Sequence, residues 1–298
     1  IKKAVIAGGT SEKTLMERAG EAVTQVIVKK FSPRRTVIFC GLGKNGGDGQ
    51  IVARSLKEKG WPVEVITLKN LPSLEEVEKS LSQADLIVDG LIGSGLTRSL
   101  EGGSLKLVNL INASMKPVVS IDIPTGIETN SGACCGGAIQ ATYTVTFFRA
   151  RLGHYLLPGR VFTGQLFVKD IGVSNQFLPP TTYYLNTPSL WKSYIKEPHP
   201  SDHKYTRGAC LVVGSGSMPG ALRLACLAAR RVGAGLVRLM CKVEEYPIFA
   251  STVWGDVITP VVTAKEYLKW AVDERFKAVL WGTGALPKES TREQAILL

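Results

Sequence analysis

Four short apolar runs, TVIFC (36–40), PVEVITL (62–68), DLIVDGLIG (85–93) and KPVVSIDIP (116–124), are separated by stretches of helical periodicity. A strand that alternates polar and apolar residues can keep one face in water. A strand that is apolar at nearly every position needs cover on both faces, as in the centre of a parallel sheet. The intervening segments can supply that cover. TLMERAGEAVTQVIVKKF puts Leu15, Ala19, Ala22, Val23, Val26 and Ile27 on one helical face, with Ser11 as cap. DGQIVARSLKEKG reads as a helix closed by Gly60, and Ser73-Leu74-Glu75-Glu76 as a capping-box start. A further helix is expected near 103–114, with later strands in TYTVTFF (142–148) and GQLFVKDIGV (164–173). Repeated β-α-β units of this kind imply an α/β fold built on a doubly wound parallel sheet.

The pattern breaks after that. Residues 1–175 form the first expected domain, and residues 176–208 the expected linker, rich in Pro, Ser, Thr and Tyr without periodicity. Residues 209–298 restart as a second α/β domain. ACLVVGS (209–215) is a strand, GALRLACLAARRVGAG (220–235) a helix, LVRLMC (236–241) a strand and AVLWGTG (278–284) another. So few elements make a poor independent sheet, and the second domain is expected to be incomplete.

Composition narrows the function classes. The net charge of +11 divides into 21 basic against 15 acidic residues in 1–178 and 15 against 10 in the remainder, so no basic tail or stripe points to nucleic acid. No apolar run approaches the roughly 20 residues of a membrane span, and the start IKKAVIAGGTSEK lacks a signal peptide's apolar segment. A chain opening at Ile1 is expected to lack its natural first residues. Cys40, Cys134, Cys135, Cys210, Cys226 and Cys241 form no C-x-x-C pair, and His154, His199 and His203 lack zinc spacing. The expectation is a cytoplasmic protein with reduced thiols and no zinc.

Ligands of open α/β sheets bind beyond the carboxyl ends of the strands. Three of those ends carry unusual loops. Cys40–Gly49, CGLGKNGGDG, matches G-x-G-x-x-G through Gly41, Gly43 and Gly46, yet Asp48 stands where a helix should begin. A carboxylate at a helix N-terminus competes with a pyrophosphate instead of welcoming it. Asp89 is followed by GSGLTRS (93–99), and Asp122 by Ile123-Pro124-Thr125-Gly126. Asp122 interrupts an apolar strand, where an unpaired carboxylate is costly unless a cation or a proton-transfer role accompanies it. Asn45, Asp89 and Thr125 offer only oxygen donors, suited to a hard cation; with a single carboxylate among them, a monovalent ion fits better than a divalent one.

KNGGDG, DGLIGSGLTRSLEG and SIDIPTGIETNSG resemble the signature loops of the NAD(P)H-hydrate epimerase family, as do LMERAG (15–20) and LLPGRVFTGQLFVKDIGV (156–173). The resemblance covers residues 1–173 and implies a Rossmann-like fold that interconverts the R and S hydrates of NADH and NADPH. It implies substrate contacts from Lys44, Asn45, Gly46, Gly47 and Asp48, and from Gly93, Ser94, Gly95, Leu96, Thr97, Arg98 and Ser99. It places Asp122 at the reacting centre, where it is the candidate acid/base, and gives Asn45, Asp89 and Thr125 as ligands of one potassium ion. The chain departs from the family at Lys44 (usually Asn), Ser99 (usually Pro), Thr125 (usually Ser) and Arg151 (usually Lys). Lys44 brings a charge beside the cation site, or one able to reach a substrate phosphate.

The second half resembles the start of the ADP- or ATP-dependent NAD(P)H-hydrate dehydratase, a ribokinase-like domain. HKYTRGACLVVGSGSMPGALRLACLAARRVGAGLVRL (203–239) carries the likeness, Ala221 matches a substrate contact, and WGTGALPKES (281–290) matches a glycine loop. The family's later N-x-G-x-G-D segment has no counterpart in the sequence, so ADP or ATP would serve only a complete dehydratase half. Small-molecule hydrates are the expected partners, with a homo-oligomer compatible and no role for nucleic acid or membrane. Two other readings compete. A dehydrogenase needs an acid at the tip of the second strand, where Lys69 and Asn70 stand. A non-catalytic nucleotide-binding relic of the same family would account for Lys44 and Arg151. A P-loop is excluded, because Lys44 is followed by Asn45 and not by Ser or Thr.

Overall fold

The computed structural model describes residues 9–178, 180–195, 197–253 and 255–284. The chain divides into two compact units, Ile1–Thr182 and Tyr183–Leu298.

The first unit opens with helix α1 (Glu12–Lys30), whose first turn is capped by Ser11 Oγ accepting from Thr14 N at 3.0 Å. Then come β1 (Thr36–Cys40), α2 (Lys44–Glu58), β2 (Val63–Thr67), α3 (Leu74–Gln83), β3 (Leu86–Gly90), α4 (Gly102–Ala113), β4 (Val118–Ile121), β5 (Tyr143–Phe147) and β6 (Gln165–Lys169). The Ser73–Glu76 capping box opens α3 as its sequence requires. All strand pairs are parallel and the order is β2-β1-β3-β4-β5-β6.

Alternation within β1 shows how both faces are covered. Ile38 and Cys40 pack with Val23, Val26 and Ile27 of α1 and Val52 and Leu56 of α2. Val37 and Phe39 pack on the other side with Val77 and Leu81 of α3 and Leu107, Val108 and Ile111 of α4. Each of these large side chains contributes about 1.5–3 kcal/mol when fully buried. The chain leaves β1 in one direction to form β2 and returns past it to form β3. The strand order therefore reverses between β1 and β3, and their carboxyl ends are level, with Cys40 beside Gly90. A crevice opens at such a reversal.

The second unit holds a parallel sheet of order β10-β7-β8-β9, from β7 (Ala209–Val213), β8 (Leu236–Lys242), β9 (Val257–Val261) and β10 (Phe276–Trp281). Helix α5 (Pro219–Val232) lies between β7 and β8, and α6 (Ala264–Ala271) between β9 and β10. β9 and α6 escape the sequence reading. VITPV contains a proline, which argues against a strand, and its N–H-free position is accommodated because β9 is the edge of the sheet.

Candidate active site

Two sequence expectations are corrected at the first loop and the third. Helix α2 begins at Lys44 and not at Asp48, so Asn45, Gly46, Gly47 and Asp48 form its first turns. This early start depends on missing side chains. A Cβ on Gly46 would collide with the Gly41 carbonyl, and one on Gly47 with the Met16 side chain. Asp48 thus sits inside the helix, where it does not occupy the anion position at the N-terminus. Ala is favoured over Gly in a helix by about 1 kcal/mol, whereas forcing a methyl into a filled site costs about 1–3 kcal/mol. Gly46→Ala is therefore expected to lower the denaturant midpoint; a raised midpoint would contradict this packing.

Asp122 is not inside a buried strand. It follows the last residue of β4, is half-buried, and has φ +66°, a left-handed conformation unusual outside glycine. Its Oδ1 accepts from Thr146 Oγ1 at 3.1 Å and its Oδ2 from Ser94 N at 3.2 Å. The fully buried carboxylate is Asp89. Its Oδ1 accepts from Thr125 Oγ1 (2.6 Å) and Leu91 N (3.2 Å), and its Oδ2 from Ser120 Oγ (2.8 Å) and Thr125 N (2.9 Å). Burial pushes its pKa up, against the opposing effect of these four donors, led by Thr125.

The loop after β3 ties these groups together. Four successive backbone N–H groups each meet a different side chain singled out from the sequence. Leu91 N donates to Asp89 Oδ1, Ile92 N to Thr125 Oγ1 at 3.0 Å, and Ser94 N to Asp122 Oδ2. Gly93 N donates to the Asn45 side-chain oxygen at 3.2 Å when that amide also donates to Ile121 O, again at 3.2 Å. Asn45 and Asp122 both crowd Gly93: a Cβ there would lie 2.9 Å from the Asn45 amide and 3.2 Å from Asp122 Oδ2. The parallel register brings this about by aligning Asp89 with Ser120 and Ile121 with Val145.

Above the loop lies a cavity of about 1110 Å³, large enough for a ligand of dinucleotide size. Lys44, Asn45, Asp48, all of Gly93–Ser99 and Asp122 line it. Gly46 and Gly47 do not; they serve the packing of α2. Asp89 and Thr125 also stay behind the wall, buried at 0% and 1% exposure. Ala221 lies in the second unit, on the first turn of α5, and the segment 285–290 of WGTGALPKES lies outside the described residues. Lys44 pairs with Glu12 at 2.6 Å. Arg98, Arg149 and Arg151 also line the cavity.

Sequence reading misses the apolar side of this cavity, lined by Leu15, Met16 and Ala19 of α1, Phe147 at the end of β5 and Phe148 after it. The helical periodicity of α1 marks Leu15 and Ala19 as core positions and gives no sign that one end of its apolar stripe borders a cavity. Also missed are Thr146, which reads as an ordinary strand residue, and His154, set aside for lacking zinc spacing.

Whether a cation fits can be tested on the donors themselves. Asn45 and Thr125 keep an oxygen lone pair each after their hydrogen bonds to the loop, whereas Asp89 has all four acceptor sites occupied. Asp89 takes part in no ion pair among the described residues. Two oxygen donors beside a buried, unneutralised carboxylate suit a monovalent cation, with Asp89 supplying charge more than a free ligand atom.

Comparison with known proteins is consistent with both halves. The family model described as the YjeF-related protein N-terminus matches residues 12–82 and 69–153, and that described as NAD(P)H-hydrate dehydratase matches residues 209–297. Among curated relatives, the bifunctional NAD(P)H-hydrate repair enzyme Nnr of Moorella thermoacetica is 37% identical, over 75% of this chain and 48% of its own length. That of Coxiella burnetii is 33% identical over 83% and 56%, and that of Escherichia coli 30% identical over 91% and 62%. The chain spans about half the length of the first of these relatives. With relatives of that name at least 30% identical over more than two thirds of its length, this chain belongs to the family of the bifunctional NAD(P)H-hydrate repair enzymes.

Proposed function

We propose that the first unit epimerises the R and S hydrates of NADH and NADPH in the cavity above the β1, β3 and β4 loops, with Asp122 as its acid/base. The observation that carries this reading is the placement of Asp122: half-buried at the cavity wall, with its carboxylate fixed by Thr146 and the Ser94 amide.

The chemistry follows from the substrate. The hydrated carbon bears a hydroxyl and adjoins the ring nitrogen. Protonated Asp122 gives its proton to that hydroxyl, the carbon–oxygen bond breaks to release water, and the nitrogen lone pair forms the C=N bond. Water then adds to the opposite face, its proton returns to Asp122, and the electron pair goes back to nitrogen. Through both steps the Thr146 hydroxyl and Ser94 N–H keep the carboxyl in one orientation. Opening of the ring through the same nitrogen is the other route to inversion, and it needs the same proton transfer.

Potassium, held by Asn45 and Thr125 beside Asp89, would supply fixed positive charge behind the loop. The hydrogen bonds of Asn45 and Thr125 to Gly93 N and Ile92 N set that loop's shape in any case. Arg98, Arg149 and Arg151 line the cavity and are the proposed partners of the dinucleotide phosphates. We assign the ADP- or ATP-dependent dehydration to none of the residues of this cavity. Incubation with either epimer resolves the two activities by chromatography. The expected products are the mixed epimers, with no ADP- or ATP-dependent appearance of NADPH; a protein that forms NADPH but leaves the epimers unmixed would contradict the assignment.

A further inference from the structure

His154 is a buried titratable group that the mechanism above does not use. It is 2% exposed and lies in a single 3₁₀ turn, Leu152–His154, between β5 and β6. Both ring nitrogens are engaged with backbone. Nδ1 accepts from Arg151 N at 2.9 Å, so the ring proton is on Nε2, which donates to Asp122 O at 2.9 Å. Burial pushes its pKa down, more than the attraction of Asp122 raises it, which keeps the ring neutral and able to accept at Nδ1.

The two backbone groups it joins belong to residues 29 positions apart, and both residues line the cavity. One is Asp122, held at φ +66°. A left-handed conformation at a non-glycine residue is unfavourable by about 1–3 kcal/mol and persists only where the surroundings fix it. The fixing bonds here are Asp122 N to Val145 O at 2.8 Å and the His154 donor at Asp122 O. The other residue is Arg151, a cation of the same wall.

Taking the proposed reading of the site, we infer that His154 is a positioning residue for the reaction: its neutral ring ties the Asp122 carbonyl to the Arg151 amide and so sets the spacing of the cavity's acid and its cation. Its role is orientation, since the ring reaches no reacting atom and exchanges no proton.

Three variants assayed for R-to-S conversion of NADPH hydrate test this. His154→Phe keeps the ring volume and loses both bonds. His154→Gln can place an amide N–H near the Nε2 position, and His154→Asn can place an oxygen near Nδ1 without reaching Asp122. Misplacement of a catalytic group by about 1 Å costs roughly 100-fold in rate. H154F is expected to lose about that factor in kcat with KM changed less than about twofold, and H154Q to recover most of it. H154N is expected to remain as slow as H154F. A role in packing alone predicts the opposite order, with H154F the most active. Should H154F fail to fold, the comparison of H154Q with H154N decides, since each keeps one of the two bonds. Equal activity of H154Q and H154N, or wild-type kcat in H154F, would overturn the inference while leaving the epimerase reading intact. A wild-type protein that does not accelerate the conversion would remove the reading and this inference with it.

Discussion

Asp122→Asn is expected to leave the first unit folded and to reduce R-to-S conversion by at least about 100-fold, the lower end of what general acid–base catalysis supplies. The substitution is nearly isosteric. Its Oδ1 still accepts from Thr146, and the backbone bonds of residue 122 to Val145 and His154 do not involve the side chain. Asparagine also tolerates left-handed φ better than most residues, so the strain at φ +66° does not grow. The amide group, however, neither gives nor takes a proton at neutral pH. Circular dichroism and the denaturant midpoint should therefore match the wild type while the rate collapses. A variant that retains more than a tenth of the rate would remove Asp122 from the chemistry.

The largest effect on stability is expected at Asp89. Asp89→Leu removes the acceptor of four hydrogen bonds at once. The Thr125 hydroxyl can turn to Ile92 O, 3.1 Å away, and Ser120 can rotate. Leu91 N and Thr125 N lose their side-chain acceptor inside the protein. At about 1–3 kcal/mol for each buried unsatisfied donor, the loss is about 2–6 kcal/mol, enough to unfold a domain of ordinary stability. Asp89→Asn keeps one acceptor oxygen and should fall between the two. The pH dependence has a definite sign. Because burial raises the native pKa of Asp89 above its ordinary value of 3.8, its contribution is full below that value and is lost as pH rises through the raised one. Relative to D89N, the wild type should lose stability in that window, and potassium should restore part of it by neutralising the carboxylate. Denaturant midpoints measured across the window, in potassium and in tetramethylammonium, check both statements. A flat difference between wild type and D89N would show that Asp89 titrates alike in the folded and unfolded chains.

The sheet was legible because it is written in local terms. TVIFC and DLIVDGLIG are strands covered on both faces, and Ser73 with Glu76 marks a helix start without reference to anything distant. The three loops could be placed at one edge once the strands were read as parallel. What could not be read depends on contacts between distant segments. Nothing local shows that Lys44 begins a helix, since that start rests on Gly46 fitting against Gly41 across the loop. Asp122 reads as a strand residue because Ile121 and Ile123 flank it, but the strand ends at Ile121 and the chain turns left-handed. Asp89 reads as the lesser of the two acids, although three of its four donors come from residues 31 to 36 positions further on. His154 acquires its role only when the turn between β5 and β6 folds back over the end of β4. In the second unit, the proline in VITPV is a true local signal against a strand, and an edge position outweighs it.

The most direct test of the central claim is the conversion of purified R-NADPH hydrate to the S epimer, followed by chromatography in potassium and in sodium buffers. If the cavity above Asp122 is an epimerase site, wild-type protein converts R to S well above the spontaneous rate, faster in potassium than in sodium, and D122N does not. Conversion at the spontaneous rate in both salts would contradict the claim and leave a cavity that binds a dinucleotide without acting on it.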